Sequence, residues 1–563
     1  MHAFVNREHN SLFPLSRLGM HNEPLPATVG AAEQTLGLRD RSVALRIDPL
    51  RTRRLHYEIV ARLVSKGARV AILFGRAAAP LPPSVDLLVS FERLVYRLRG
   101  PRLSDSLPYE DRKLPRAAPD DRFDIVLDLC GDDSTPTGGR TIRPLYDGVP
   151  GEAALIGALL AGRMPVIDIE DVQEGAILAR GAPCADNSRT ILEAFNSVLA
   201  RVATLAIAVI AGAGPLAPLQ RPAARSIRLR EMLKLEASSL ARAAIRRLYH
   251  LCCYAPHWRT CWRIVNGNDL WTTRSLSGVS WNVVPDPGFR FYADPFPFLH
   301  EDSMYVFVED FDHRRNKGVI SVIPFGEHGP LGPAQPVLEE PWHLSYPFLL
   351  AHQGQIWMIP ESSAARTVDL YRADPFPHRW VREATLLAGI EASDATLVRH
   401  AGRFWMFAAT RDGAGSWSDT LSLFSAADLH GPWEAHPGNP VLVDKSAARP
   451  AGAMVLRDAR LWRPVQDCSA GYGTGIGLAE VTRLDGQAFS QTLHQILHAD
   501  PGWPGRRFHT LNCAGWLECI DGSAHSPRNR SVAGLLEHWS GRRDSGERCR
   551  ARLPDTLDPD ERD

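Results

Sequence analysis

Residues 293 to 310, ADPFPFLHEDSMYVFVED, read as a strand, a polar turn and a second strand, with an aspartate just ahead of the first apolar run. The outline returns as SYPFLLAHQGQIWMIPES, as SDATLVRHAGRFWMFAAT and, more loosely, as ARPAGAMVLRDARLWRPVQD. The aspartate's slot holds Asp294, Tyr346, Asp394 and Arg449 in turn, at spacings of 52, 48 and 55 residues. A hairpin cannot bury its apolar face alone, so repeated hairpins at a nearly fixed period must stack against one another. Trp, Tyr and Phe recur in the second strand of each copy. Four-stranded blades of about 40 to 50 residues around an axis account for this period. RFHTLN marks a fifth copy, with His509 lying 60 residues after Arg449. A five-bladed β-propeller is therefore expected over 281–520, with the closure of the ring left open.

The remainder divides into four parts. Residues 1–40 show no sustained periodicity and read as a flexible arm. RSVALRID, LRTRRLHYEIVARLVSKG, ARVAILFG and FDIVLDLCG then alternate strand with helix, the sign of a parallel sheet with crossover helices. GEAALIGALLAGR, MPVIDIED and SRTILEAFNSVLARVATLAIAVI continue that rhythm, so a Rossmann-type α/β domain is expected over 41–212. The apolar stretch 202–219 holds Gly, Pro and many alanines, which suits a buried helix end and linker better than a membrane span. Residues 213–280 form a basic helical linker. Between 221 and 247, Arg221, Arg225, Arg228, Arg230, Lys234, Arg242, Arg246 and Arg247 face only Glu231 and Glu236, a pattern expected of a solvated connector helix, with contact to anionic lipid or to a nucleotide-bearing partner as the alternatives. The charged end, 521–563, reads as disordered.

Lys plus Arg and Asp plus Glu both total 64, which removes the electrostatic case for a nucleic-acid partner. Nine scattered cysteines without CxxC pairing suggest reduced thiols in the cytoplasm rather than a disulfide framework or a metal site. The first twenty residues lack the basic and apolar regions of a signal peptide. No cofactor is expected.

In a propeller the innermost strands line the axis, so equivalent residues of the repeats converge on one pocket. Asp294, Tyr346, Asp394, Arg449 and His509 form that candidate ring. Acids, an arginine, a histidine and aromatics together suit a sugar, whose hydroxyls need donors and acceptors and whose C–H faces stack on rings. Strand-start Asp and Pro also satisfy turns, which is the plain structural alternative. A scaffold binding a protein on its rim is a further alternative.

The motifs PWHLSYPFLL, WMIPESS, LYRADPFPHRW, GPWEAHPGNPV, ARPAGAM, LWRPVQDCSAGYG and RFHTLN resemble, in order and spacing, the N-terminal domain of plant glucosamine inositolphosphorylceramide transferases. The resemblance implies a carbohydrate-handling protein of a glycolipid pathway, with a sugar, sugar phosphate or glycolipid head group as partner. The transfer itself is expected of a separate C-terminal domain, for which the residues after 520 leave no room in this sequence. The repeats also look like the five-bladed glycoside hydrolases of families 43 and 32. That likeness implies catalytic aspartates at Asp294 and Asp394, and places Arg449 where those enzymes carry their acidic proton donor. An arginine cannot donate that proton, so Glu361 or Asp467 would have to replace it, and Arg449 would instead suit a phosphorylated or carboxylated sugar as a bidentate anchor.

LYDGVPGEAALIGALLAGRMPVIDIEDVQEGAILARG resembles formyltransferase domains. No Asn-x-His follows FDIVLDLCGDD, and Gln173, Glu174 and Gly175 stand where that family has Asp-x-Gly. The resemblance therefore implies a scaffold without formyl transfer, since that reaction needs those groups. The CGDDSTPTGG loop after a strand could line a ligand cleft of such a sheet, but a solvent-facing loop is the expected reading.

Overall fold

The computed structural model describes residues 38, 41–77, 83–118, 120–132, 139–186, 188–214, 216, 229–411, 413–499 and 505–529, the side chains of 83 and 229–240 excepted. The expected arm (all but Leu38), residues 133–138 of the CGDDSTPTGG loop, the basic residues at 221–228 and the tail from 530 lie outside the described residues.

The N-terminal domain runs β1 (Ser42–Ile47), α1 (Arg54–Ser65), β2 (Arg69–Phe74), α2 (Pro83–Val95), β3 (Ile125–Asp128), β4 (Arg140–Tyr146), β5 (Val149–Pro150), α3 (Glu152–Leu160), β6 (Ile167–Asp171), β7 (Ile177–Gly181) and α4 (Ile191–Ile210). Its sheet has the order β2-β1-β3-β4-β6-β7, with β5 paired to β4. β1 is parallel to β2 and β3, and β3 to β4, but β4–β6 and β6–β7 are antiparallel. The sheet is therefore mixed, which corrects the expected parallel sheet. Ile167 faces Tyr146, so β6 starts at the end where β4 stopped. A parallel neighbour would need a crossover back along the sheet, and α3 does not supply one.

Helix α4 is the core of this domain. Leu192, Phe195, Val198, Leu199, Val202, Leu205 and Ile210 are buried against the sheet and α1. Thr190 caps it through the Glu193 amide, and the Glu92 carboxylate accepts from the Ile191 and Leu192 amides at 2.8 Å, satisfying N–H groups that a helix leaves unpaired. Among the described residues it is the one helix long and apolar enough to cross a membrane, but most of it is buried inside the domain.

The second half closes into five sheets around an axis. Four are consecutive in sequence, with first strands Arg290–His300, Ser345–His352, Ala392–His400 and Val455–Arg457. The fifth combines β9 (Trp258–Ile264) and Asn282–Val283 with Leu511–Ala514 and Leu517–Ser523. β9 pairs with Leu517–Ser523 over seven residues, from Trp258↔Ser523 to Ile264↔Leu517. One blade thus contains both ends of the ring. β9 falls inside the segment expected to be a helical linker, and the last strand runs past residue 520. Only α5 (Leu229–Cys252) is the long helix of that segment. β8 (Cys253–Tyr254) follows it and pairs with Ser526–Pro527, so the first residues of the expected tail are structured.

The two domains share buried contacts. Arg201 of α4, with no exposed surface, donates from Nε (2.9 Å) and Nη2 (2.7 Å) to Asp419 of the third blade and from Nη2 to the Ser416 carbonyl. The Cys184 amide donates to the other Asp419 oxygen at 2.8 Å, and Val443 of the propeller joins the core around α4.

Candidate functional site at the propeller axis

The repeat has a backbone reason. Asp294, Tyr346 and Asp394 all take left-handed backbone angles, with φ of 47°, 44° and 55°. Each sits where its strand's register shifts: between Ala293 and Phe296, Ser345 and Phe348, and Ser393 and Thr396. A bulge of this kind re-aims a side chain, and a left-handed non-glycine residue costs on the order of 1 kcal/mol, a strain that concentrates at functional positions.

A second ring lies on the neighbouring strands. Ala293 pairs with Glu309, Ser345 with Glu361 and Ser393 with Ala409. The same position is Gln466 in the fourth blade and Asp521 in the fifth. In sequence it falls four residues after Tyr305, Trp357, Trp405, Trp462 and Leu517. Reading the recurring aromatics as a ruler would have found Glu309 and Gln466, which the first-strand repeat alone does not reveal; in the fifth blade Leu517 stands in the aromatic's place, so Asp521 escapes that ruler.

Both rings meet at a cavity of about 1440 Å³. Asp294, Glu361, Asp394, Arg449 and His509, expected from the sequence, all line it, and so do Glu309 and Tyr472, which were not. Tyr346 is not on its wall: the ring is fully buried against Phe296, and its hydroxyl pairs with Thr396 Oγ1 at 2.8 Å. Asp467 is not there either. It accepts from the Ser469 amide at 3.0 Å and so holds a turn, while its neighbour Gln466 reaches the site. The inner position belongs to the glutamine because alternate residues of a strand face opposite sides.

Two charged clusters face each other across the axis. In the first, Asp294 Oδ1 accepts from the Thr510 hydroxyl at 2.6 Å and lies 3.3 Å from His509 Nε2, and Asp294 Oδ2 accepts from the Tyr346 amide at 3.2 Å. His509 Nδ1 is 2.8 Å from Asp521 Oδ2, an ion-pair distance although the N–H is not aimed squarely at that oxygen. Trp258 and Tyr472 pack on the imidazole at centroid distances of 4.3 and 5.0 Å. Burial works against a charged imidazole, but Asp521 and Asp294 outweigh it and raise His509 to about 10. Burial likewise opposes the Asp294 carboxylate, yet His509 and Thr510 hold it below the usual range.

In the second cluster, Asp394 Oδ2 accepts from Arg449 Nε at 2.6 Å and from Gln466 Nε2 at 3.0 Å. The Arg449 guanidinium lies 4.9 Å over the Tyr472 ring. With Nε committed to Asp394, the expected two-point grip on a ligand through that edge is not available. Glu361 stands beside this pair and accepts from Ser363 Oγ at 2.8 Å. Burial, then the Asp394 carboxylate, push it up to about 8 against the opposing pull of Arg449 and Ser363. Glu309, raised well above the carboxylate range by burial and by Asp294, has an oxygen without a hydrogen bond, with His343 Nε2 at 3.5 Å.

Asp294, His509 and Asp521 are the one group among the described residues whose donor atoms are mutually close enough to hold a metal ion. A metal takes neutral imidazole, whereas the carboxylates beside His509 favour its imidazolium, so an ion and a proton would compete for this set.

Fold and site together define a five-bladed propeller with an axial cavity whose wall includes the buried carboxyl groups Asp294, Glu309 and Asp394. Residues 270–522 match the family described as glucosamine inositolphosphorylceramide transferase 1, N-terminal. The chain is 32% identical over 269 residues to glucosamine inositolphosphorylceramide transferase 1 of Oryza sativa subsp. indica, covering 44% of this chain and 35% of that protein. It is 32% identical over 297 residues to the protein of the same name from Arabidopsis thaliana, covering 50% and 37%. The chain thus spans little more than a third of the length of these relatives. Similar solved structures include a thermostable family-43 glycoside hydrolase (13% identity, TM-score 0.30, 40% of this chain and 85% of that one). The GH43_1 enzyme from Xanthomonas citri is another (14%, TM-score 0.32, 43% and 90%).

Proposed function

We propose that the axial cavity binds a sugar or sugar-phosphate head group, and that the protein serves a glycolipid pathway. One observation carries this reading. Four buried carboxyl groups, Asp294, Glu309, Asp394 and Asp521, and the half-buried Glu361 gather at the axis, all but Asp521 on the wall of one cavity, with Arg449 and His509 as the buried cationic partners in the two clusters. Burying acids in such excess is costly unless a ligand uses them. Trp258 and Tyr472 add aromatic faces beside them. The plant relatives' name supports a glycolipid setting.

A second reading, glycosyl transfer or hydrolysis, is favoured by one contrast. Glu361 is pushed up to about 8 and Asp294 is held low, so the first keeps its proton at neutral pH while the second is ionised. Two carboxyl groups driven apart in this way divide naturally into proton donor and carboxylate.

The test uses the whole chain, its Asp294→Asn variant and its Glu361→Gln variant, with binding of sugars, sugar phosphates and nucleotide sugars followed by thermal shift. A ligand at about 100 times its Kd adds roughly 2.7 kcal/mol to stability. A shift lost in Asp294→Asn supports the binding site. Turnover abolished in Glu361→Gln with binding kept supports the second reading. A folded protein that no ligand in the panel shifts would sink both.

A further inference from the structure

Helix α5 carries an uncovered apolar face. Ala241, Ala244, Ile245, Leu248 and Leu251 follow the spacing of one side of a helix and are all exposed, the three large ones at 68%, 62% and 72%. Arg242 and Arg247, both exposed, flank this stripe on its two sides, with Arg246 beyond Arg242. Ala243 and His250 on the opposite side are half-buried, as is Tyr249 on the Arg242 flank, whose hydroxyl pairs with His525 Nδ1 at 2.6 Å. The His250 and Cys253 carbonyls accept from Arg528 Nε, which fixes the end of the helix on the propeller. Over residues 241–252 the helix is thus anchored at its end and along one flank, with the apolar stripe exposed.

We infer that α5 is an interfacial helix that seats the protein on an anionic bilayer. Arginines border a narrow apolar stripe, the arrangement that inserts at the headgroup boundary while basic side chains meet lipid phosphates. The sequence upstream continues the basic excess, with Arg221, Arg225, Arg228, Arg230 and Lys234. The same helix borders the axial cavity, since Arg246 and Tyr249 belong to its wall. Those two residues lie off the stripe, so the membrane contact stands independently of the pocket reading above.

The experiment is co-sedimentation of the full chain with vesicles of phosphatidylcholine alone and of phosphatidylcholine mixed with phosphatidylserine. Binding is expected to the mixed vesicles and to weaken with salt. Arg242→Gln and Arg247→Gln should each weaken partitioning roughly fivefold. The double variant Leu248→Glu/Leu251→Glu should abolish it while far-UV circular dichroism and melting stay unchanged, because both positions are exposed. Absence of sedimentation with mixed vesicles overturns the inference, as does binding that the double variant leaves intact. A dimer that the double variant dissociates, with no vesicle binding by the parent, overturns it in favour of a second copy on the stripe. Loss of vesicle binding with soluble sugar phosphates still shifting the melt would leave the pocket reading standing.

Discussion

The two domains treat buried charge in opposite ways. In the N-terminal domain acids and bases are matched almost one to one: Arg46 with Asp128 and Asp132, Arg53 with Glu152, Arg180 with Asp168, and Arg201 with Asp419 across the domain boundary. At the propeller axis carboxyl groups outnumber their partners, and their proton affinities are driven apart rather than levelled. Matched charge fixes how elements sit against one another. Surplus charge around a cavity is poised toward something that enters it.

The largest effect that separates the two belongs to Arg201. Arg201→Met strands Asp419 without exposure or counter-charge and should cost about 3–5 kcal/mol in denaturant unfolding, with Arg201→Met/Asp419→Leu recovering most of it. If the single variant is nearly neutral, the contrast between the domains is broken. His509 comes next. Its folded value is raised from 6.5 to about 10, so its contribution to stability is fully present below pH 6.5 and is lost as pH rises through 10. His509→Gln should remove that decline from the stability profile measured between pH 6.5 and 10.

Glu361 is expected to act with the same sign over another window. Its value is raised from 4.5 to about 8, so stability falls as pH rises between those limits. Glu361→Gln should flatten this slope and make the protein more stable than its parent at pH 9. A slope that persists would show that Glu361 ionises freely, and with it would go the reading of a proton donor. The smallest effect belongs to Asp467→Asn, which should cost no more than about 1 kcal/mol and leave ligand binding unchanged, because Asp467 serves a turn.

Much of the axis was legible in the sequence because one hairpin is written four times, and a bulge at a fixed place repeats with it. That regularity exposed Asp294, Asp394 and Arg449, and the match of 270–522 to the transferase N-terminal family bears out the resemblance read from the motifs. The second ring was harder to read because its members are not constant: Glu309, Glu361, Ala409, Gln466 and Asp521 share a location but not one side chain. Asp467 was chosen one residue away from Gln466, a slip that in a strand turns the side chain to the other face. Tyr346 kept its slot in the backbone while its ring turned into the core. Sheet direction in the N-terminal domain was hidden for a different reason. RTIRPLY, the strand on which the pairing reverses, carries Pro144 at its centre and gives no clear alternation.

The seam between β9 and Leu517–Ser523 has a consequence for synthesis. Two strands some 250 residues apart in the chain must meet before the annulus exists, so a nascent chain on the ribosome can assemble single blades but cannot lock them until residue 523 has emerged. A fragment cut at 281 and 520 would lack one side of this latch and part of the other. Its failure to melt cooperatively would report a missing clasp rather than a weak blade.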